Sequence, residues 1–235
     1  MKDVELHCAI AAEFDHVLSS ESLVLDFGCG DGYMVSAYRA AGYQAVGADV
    51  HLEYPNEWLK LISAESGTYR LPFPSNSFDF LCSNSVLEHV EDLDAALAEM
   101  YRVLRPGGAS LHFFPPRWCP IEPHVFVPLA GVVQTRTWLV MWALLGVRNS
   151  FQRNWGFRQT AGSNYDYLHQ KTFYRSRKDL DQQFQRYFRT VTFADREMIR
   201  HSYGGARHLA PLAERMRPLA ASYGALHQRC VFARK

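Results

Sequence analysis

Three glycines at alternate positions, Gly28, Gly30 and Gly32, follow an apolar run that ends in Asp26-Phe27. In a loop between a strand and a helix, glycines permit positive φ and let the main chain approach a ligand. The helix start adds free N–H groups. The dinucleotide-binding spacing wants its third glycine one residue later, at Tyr33, so the loop alone does not name its ligand. Two carboxylates narrow the choice. Asp49, at the end of a second apolar run, suits the two hydroxyls of a ribose. Asp26, at the mouth of the first run, suits an ammonium better than a pyrophosphate. Further on, "FFPPRWCPIEPHVF" carries Arg117, Trp118, Glu122 and His124 on a proline-shaped loop. A histidine with a carboxylate two residues away is either a tuned general base or part of a structural turn. His89, in "VLEHV", is the rival base.

Such residues need elements to hold them. "SLVLDF" reads as a buried strand, and "DGYMVSAYRAAG" as a helix stopped by Gly42. "YQAVGAD" is a second strand and "EYPNEWLKLIS" a second helix. "FDFLCS" is a third clear strand. "DLDAALAEMYRVLRPGG" is a helix with Asp92 near its cap and Pro106-Gly107-Gly108 ending it, and "ASLHFF" is the strand that follows. Strands alternating with helices predict a doubly wound α/β sheet whose ligands sit at the carboxyl ends of the strands. Val4, Cys8, Ala11, Phe14, Val17 and Leu18 predict an N-terminal amphipathic helix within residues 1–20. "KDLDQQFQRYF" predicts a late helix, and "RTVTFAD" and "RCVFAR" the last pair of strands.

A ligand with both a ribose and an amino-acid tail satisfies Asp49 and Asp26 together, and S-adenosylmethionine is such a ligand. At this point a resemblance enters. "VLDFGCGDG", "VGADV" and "LPFPSNSFDFLCSNSVLEHVEDLDAALAEMYRVLRPGG" look like the class I S-adenosylmethionine-dependent methyltransferases, and the type 11 subgroup in particular. The resemblance covers residues 23–114. It implies a Rossmann-like, seven-stranded α/β sheet with helices on both faces and S-adenosylmethionine as cofactor. It further implies that Asp26, Gly28, Cys29, Gly30, Asp49 and Val50 contact that cofactor and that Ser83, Asn84 and Ser85 line the site, with Ser85 on the substrate side. The family commonly has an acid and a small residue ahead of "LPF"; here Gly67 and Thr68 stand there, with Thr68 offering a backbone N–H.

The remainder of the chain reads as one domain: a cofactor-binding core at 23–114, a substrate-covering insertion after the fifth strand at 115–170, and closure of the sheet at 171–235. The insertion holds "VFVPLAGVVQTRTWLVMWALLGV", which Gln134-Thr135-Arg136-Thr137 divides into pieces of about ten residues, against the roughly twenty needed to cross a bilayer. It is either a helical lid or an interfacial element. Residues 1–115 carry 6 Lys/Arg against 17 Asp/Glu, and residues 116–235 carry 19 against 7. The halves either neutralise each other or turn the basic one toward an anion. Basic and aromatic residues mix from Arg148 to Lys178, which suits a phosphate-bearing sugar or a base-stacking nucleic acid. Five dispersed cysteines without a CxxC point to a reducing compartment and to no metal.

The expectation is a cytoplasmic methyltransferase, with peripheral contact at the inner membrane face if the insertion is interfacial. Its acceptor is expected to be a sugar hydroxyl in surface-polysaccharide or glycolipid synthesis, on a lipid- or nucleotide-linked glycan. Methylation of another small metabolite, or a non-catalytic subunit with a methyltransferase fold, is the alternative. Nucleic acid is disfavoured, because "SNSV" is not the Asn/Asp-Pro-Pro-aromatic motif of amino-methylating relatives. In the catalytic reading His124, with Glu122, takes the acceptor's proton, and His89 is its competitor.

Overall fold

A computed structural model describes residues 2–52, 54–65 and 68–235. The chain begins with α1 (Lys2–Glu13), then alternates β1 (Leu23–Phe27), α2 (Tyr33–Ala40) and β2 (Gln44–Asp49). Three short strands follow: β3 (Leu59–Leu61), β4 (Ser63–Glu65) and β5 (Thr68–Arg70). Next come β6 (Phe78–Asn84), α3 (Leu93–Val103) and β7 (Leu104–Phe114). Beyond β7 lie α4 (Arg136–Leu144), α5 (Phe157–Gln170) and α6 (Arg177–Gln185). The last elements are β8 (Thr190–Phe193), α7 (Asp195–His201), α8 (Ala210–Arg215), α9 (Arg217–Leu226) and β9 (Arg229–Arg234).

Seven strands form one sheet in the order β3-β2-β1-β6-β7-β9-β8, and β9 alone runs antiparallel to its neighbours. The order reverses between β1 and β6, so a crevice opens where their carboxyl ends diverge. Alternation along β1 feeds both faces. Leu25 and Phe27 pack with α3 and α6 through Leu97, Met100 and Phe184. Val24 packs on the other face with Ile10, Val35 and Tyr38 of α1 and α2. This is the doubly wound architecture that the alternation of signals predicts.

Three local expectations are corrected. The helix expected in "EYPNEWLKLIS" does not form over the described residues 54–63. Pro55 removes a donor early in that segment, and Leu59–Leu61 instead adds the edge strand β3 beside β2, with Leu59 buried and Leu61 exposed. The helix expected to run up to Pro106 stops at Val103, two residues short of Arg105, the position that Pro106 itself keeps out of the helical region. Its extended cap, Leu104, already pairs with Phe78 as the first residue of β7. The N-terminal helix ends at Glu13. Asp15 adopts φ 56° while its N–H bonds Ala12 O and that of His16 bonds Ala11 O, a left-handed terminus that leaves Val17 80% exposed.

The segment that follows β7 packs on itself. Val125, Val127, Ala130, Leu139, Ala143, Ala161 and Leu168 form a separate apolar cluster between its loop, α4 and α5. No helix among the described residues is long and apolar enough to cross a membrane. Cross-half ion pairs also form, including Arg186 with Asp94 at 2.8 Å and Arg200 with Glu13 at 2.6 Å. Part of the charge asymmetry is therefore spent inside the fold.

The start of α3 shows how a cap anchors an element that carries one side of the core. The Asp92 side chain accepts from Ala95 N at 2.9 Å. Asp92→Ala is expected to lower unfolding free energy by about 1 kcal/mol in urea denaturation, with an unchanged m-value. A variant as stable as the parent would show that packing of Leu93 and Leu97 alone holds this terminus.

Candidate active site

The loop between β1 and α2 has the geometry its glycines suggest: Gly28, Gly30 and Gly32 all take positive φ, at 75°, 49° and 82°. Gly28 is also sterically required, since a β-carbon there would lie 2.3 Å from Val86 Cγ2. Gly30 N donates to Asp49 Oδ2 at 2.8 Å, and His51 N donates to Asp49 Oδ1 at 3.1 Å. Asp49 thus ends β2 directly beside the glycine loop, with Val50 exposed next to it. Asp26 is only 3% exposed at the end of β1, with Cys82 Sγ donating weakly to it at 3.8 Å. Burial pushes its carboxyl up to about 7, and the carboxylates of Asp49 and Asp31 add to the rise. Cys29 is buried beside them. Its thiol is pushed up to about 12, first by burial and then by Asp26, so it stays protonated and unreactive.

Other expected cofactor residues are spread more widely. Ser83 is fully buried, and its hydroxyl is paired with His112 Nδ1 at 2.8 Å inside the core. Asn84 ends β6, and His7 of α1 is a buried ring whose Nδ1 lies 2.8 Å from Tyr38 Oη. Burial drives His7 down to about 4, so it is neutral. Ser85 takes φ 54° and donates its N–H to Phe113 O, turning the chain over the glycine loop toward Glu88. Thr68 opens β5 in the separate β4–β5 hairpin, and Gly67 lies outside the described residues.

The three expected acid–base residues do come together, on segments far apart in sequence. Glu122 Oε1 lies 2.6 Å from His124 Nδ1, and Tyr174 Oη donates to the same oxygen at 2.6 Å. Glu122 Oε2 accepts from the backbone N–H groups of His124 and Val125. Burial alone would raise Glu122, but these bonds outweigh it and hold the carboxyl below its usual range. His124 Nε2 faces His89 Nε2 at 3.2 Å, and His89 Nδ1 lies 2.6 Å from the Lys171 carbonyl oxygen. A fourth member, Glu88, was not singled out from sequence. It is 2% exposed in the one-turn helix Leu87–His89, and burial pushes it up to about 7. Its signal was its place beside His89, which the apolar neighbours Val86, Leu87 and Val90 disguise as core.

A cavity of about 290 Å³ opens beside this cluster. Glu88, Phe114, Arg117, Trp118, Tyr174 and Arg177 line it, on segments that leave the carboxyl ends of β6 and β7 and on the approach to α6. Arg117 and Trp118 are exposed at its wall. Several of the basic and aromatic residues are engaged with each other: Arg136 lies over Tyr165 at 4.1 Å, and Arg177 over Phe193 at 4.2 Å. Those ring faces are covered from inside the chain, which weighs against a base-stacking surface.

Residues 25–111 match the family described as methyltransferase domain. The malonyl-(acyl-carrier protein) O-methyltransferase of Erwinia billingiae is 35% identical over 112 residues, 42% of this chain and 45% of that protein. The demethylmenaquinone methyltransferase of Streptomyces avermitilis is 34% identical over 100 residues, 42% of this chain and 40% of that one. The chain thus spans less than half the length of these two curated relatives. A solved S-adenosylmethionine dependent methyltransferase of Mesorhizobium loti superposes with TM-score 0.52 at 18% identity, covering 98% of this chain and 100% of that one. At that identity the likeness is one of fold.

The contact of Gly28 with Val86 is open to a two-variant test. Gly28→Ala must both hold a positive φ and displace a stiff β-branched side chain, so it should destabilise by about 1–3 kcal/mol. In the Gly28→Ala/Val86→Ala double variant the steric share should be recovered and the backbone share kept, as read by urea denaturation. Strict additivity of the two single effects would mean that the residues do not constrain each other.

Proposed function

We propose that this chain, which carries a class I S-adenosylmethionine-dependent methyltransferase domain, transfers the methyl of that cofactor to an oxygen of a small molecule. The single observation that carries the reading is the pair Asp26 and Asp49. They end two adjacent parallel strands, with a positive-φ glycine loop folded between them. Asp49 takes the ribose hydroxyls, Asp26 takes the amino group of the methionyl tail, and the glycine backbone lies against the part between.

Chemistry follows from the charge on sulfur. The sulfonium makes the methyl electrophilic, so the chain must hold a nucleophile in line at near-attack distance and exclude water. The cavity beside Glu88 is the acceptor's site, reached from the cradle along Ser85, Val86 and Leu87. Arg117, exposed on its wall, favours a molecule that bears a phosphate or carboxylate. A phosphate-linked sugar, as expected from sequence, is one member of that class. The names of the relatives carry malonyl-(acyl-carrier protein) and demethylmenaquinone, and neither supports a sugar in particular. The cluster of Glu88, His89, Glu122 and His124 activates the acceptor oxygen.

A second reading concerns location. Leu144 and Leu145 at the end of α4, and Phe151 beyond them at 84% exposure, make an exposed apolar edge in a stretch of sequence that also carries Arg148 and Arg153. Such an edge favours peripheral contact with an anionic membrane. Co-sedimentation with anionic liposomes, reversed by salt and lost in Leu145→Asp/Phe151→Asp, is the expected result. No binding at any ionic strength would return the insertion to a plain cover.

Calorimetry with S-adenosylhomocysteine tests the cradle. Asp49→Ala should weaken binding by about ten- to hundredfold, the loss of a charge-assisted pair. An unchanged affinity would remove Asp49 from the cofactor. The buried Asp26 adds a pH signature. With its carboxyl near 7, it is largely protonated below that pH, and an ammonium partner favours the charged form. Binding therefore releases a proton below pH 7, and affinity should rise with pH, by up to about tenfold per unit, until it levels near 7. Asp26→Asn should bind more weakly and without that slope. Incubation with labelled S-adenosylmethionine and phosphate- or carboxylate-bearing acceptors should give a methyl ether stable to base. A base-labile product would identify a carboxylate as the acceptor instead.

A further inference from the structure

We infer that Glu88, His89 and His124 form a site for one divalent transition-metal ion of the zinc class. The reasoning begins with protons. His89 Nδ1 lies 2.6 Å from the Lys171 carbonyl oxygen, which can only accept, so Nδ1 carries the hydrogen and donates. His124 Nδ1 lies 2.6 Å from a Glu122 oxygen that also accepts from Tyr174 Oη, so it donates as well. In each neutral ring the lone pair then belongs to Nε2. These two nitrogens face each other at 3.2 Å. Two lone pairs at that separation repel unless a cation lies between them, either a shared proton or a metal ion.

The third residue decides between those two. Glu88 is 2% exposed, and neither of its carboxylate oxygens has a hydrogen-bond partner among the described residues. Its Oε1 lies 3.8 Å from His89 Nε2, and the ligand atoms of the three residues all fall within 4.8 Å of one another. A proton shared by the two rings would leave both buried Glu88 oxygens without a bond, which is costly whether the group is ionised or protonated. A metal ion satisfies both nitrogens and the carboxylate together.

The dimensions agree. Two imidazole nitrogens held about 2.0–2.1 Å from a tetrahedral ion lie roughly 3.3–3.4 Å apart, close to the separation seen here. Two nitrogens and one carboxylate are a donor set for zinc and its first-row neighbours, and suit magnesium or calcium poorly. The Lys171 carbonyl on one ring and the Glu122 carboxylate on the other are the outer partners that hold metal-binding histidines in one tautomer. Three protein ligands leave a fourth position open, as catalytic rather than structural zinc sites do. Glu88 also lines the cavity beside the cluster, which brings one of the three ligands to the wall of the proposed acceptor site.

The role of the ion rests on the methyl-transfer reading; its binding does not. An acceptor hydroxyl on the ion loses its proton to solvent, because the cation stabilises the alkoxide. Its oxygen forms the new C–O bond as the S–CH3 bond breaks, and that electron pair stays on sulfur to give neutral S-adenosylhomocysteine.

Equilibrium dialysis of the intact chain against Zn2+ and, separately, Co2+ tests the site, with the visible spectrum of the Co2+ form as a second readout. One ion per chain is expected, with a d–d band in the visible range. His124→Ala and His89→Ala should weaken uptake and bleach the band. Glu122→Gln, an outer partner, should weaken it by roughly 10–100-fold. S-adenosylhomocysteine affinity should stay within about twofold in every variant, which reports that each is folded. If wild type takes up no stoichiometric Co2+, or if His124→Ala takes it up unchanged, the site is overturned and a proton bridges the two rings. Intact Co2+ binding without any S-adenosylhomocysteine binding would instead overturn the methyl-transfer reading alone.

Discussion

The Glu122 carboxylate, fully buried, accepts four hydrogen bonds: from His124 N, His124 Nδ1, Val125 N and Tyr174 Oη. A buried carboxylate on this scale of exposure is stable only because its oxygens are satisfied, and removing one donor would leave an expensive charge behind. Three of the bonds close a tight turn, and the fourth ties that turn to the segment entering α6. The same interaction fixes the His124 ring and leaves Nε2 as its only free nitrogen. Everything proposed for the acceptor side depends on this anchor.

The cofactor side has its own constraint, and the two meet in a few residues. Because residue 28 has no β-carbon, Val86 can lie against the glycine loop. That contact draws the turn after β6 across the crevice, with Ser85 in a left-handed conformation and its N–H held by Phe113 O. Leu87, Glu88 and His89 then follow as one helical turn. The cradle and the polar cluster are therefore two ends of one short segment rather than separate features. A displacement at Gly28 would be felt at Glu88.

Arginines that look solvated in the sequence hold this arrangement from outside. Arg175 donates to the carbonyls of Leu87, Val90, Glu91 and Phe173, bracketing the turn that carries Glu88 and His89. Arg229 and Arg177 pair with the buried Asp195, at 3.1 Å and 3.7 Å. Much of the positive charge of residues 116–235 thus caps carbonyl groups or acids, whereas Arg117 is exposed at the cavity wall.

How far the sequence reached depends on the range of the physics involved. The alternating strands, the capped α3, the glycine loop with Asp26 and Asp49, and the final strand pair were legible, because periodicity, capping and turn chemistry act between neighbours in the chain. The helix expected over residues 53–63 failed for a non-local reason: an open edge on β2 recruits Leu59–Leu61 as a strand. The β6–β7 register sets Ser83 opposite His112, and the Ser83 hydroxyl pairs with that buried ring, a partner no spacing in the sequence indicates. The mutual approach of His89 and His124 was beyond any spacing rule, since 35 residues and a whole strand separate them. "LEH" reads as the end of an apolar turn until the insertion folds back and brings "EPH" against it. Sequence determined the glycine loop and the two strands that end beside it; only the tertiary structure decided which carboxylates and imidazoles lie together, because that depends on how distant segments pack and which buried polar atoms are left to satisfy one another.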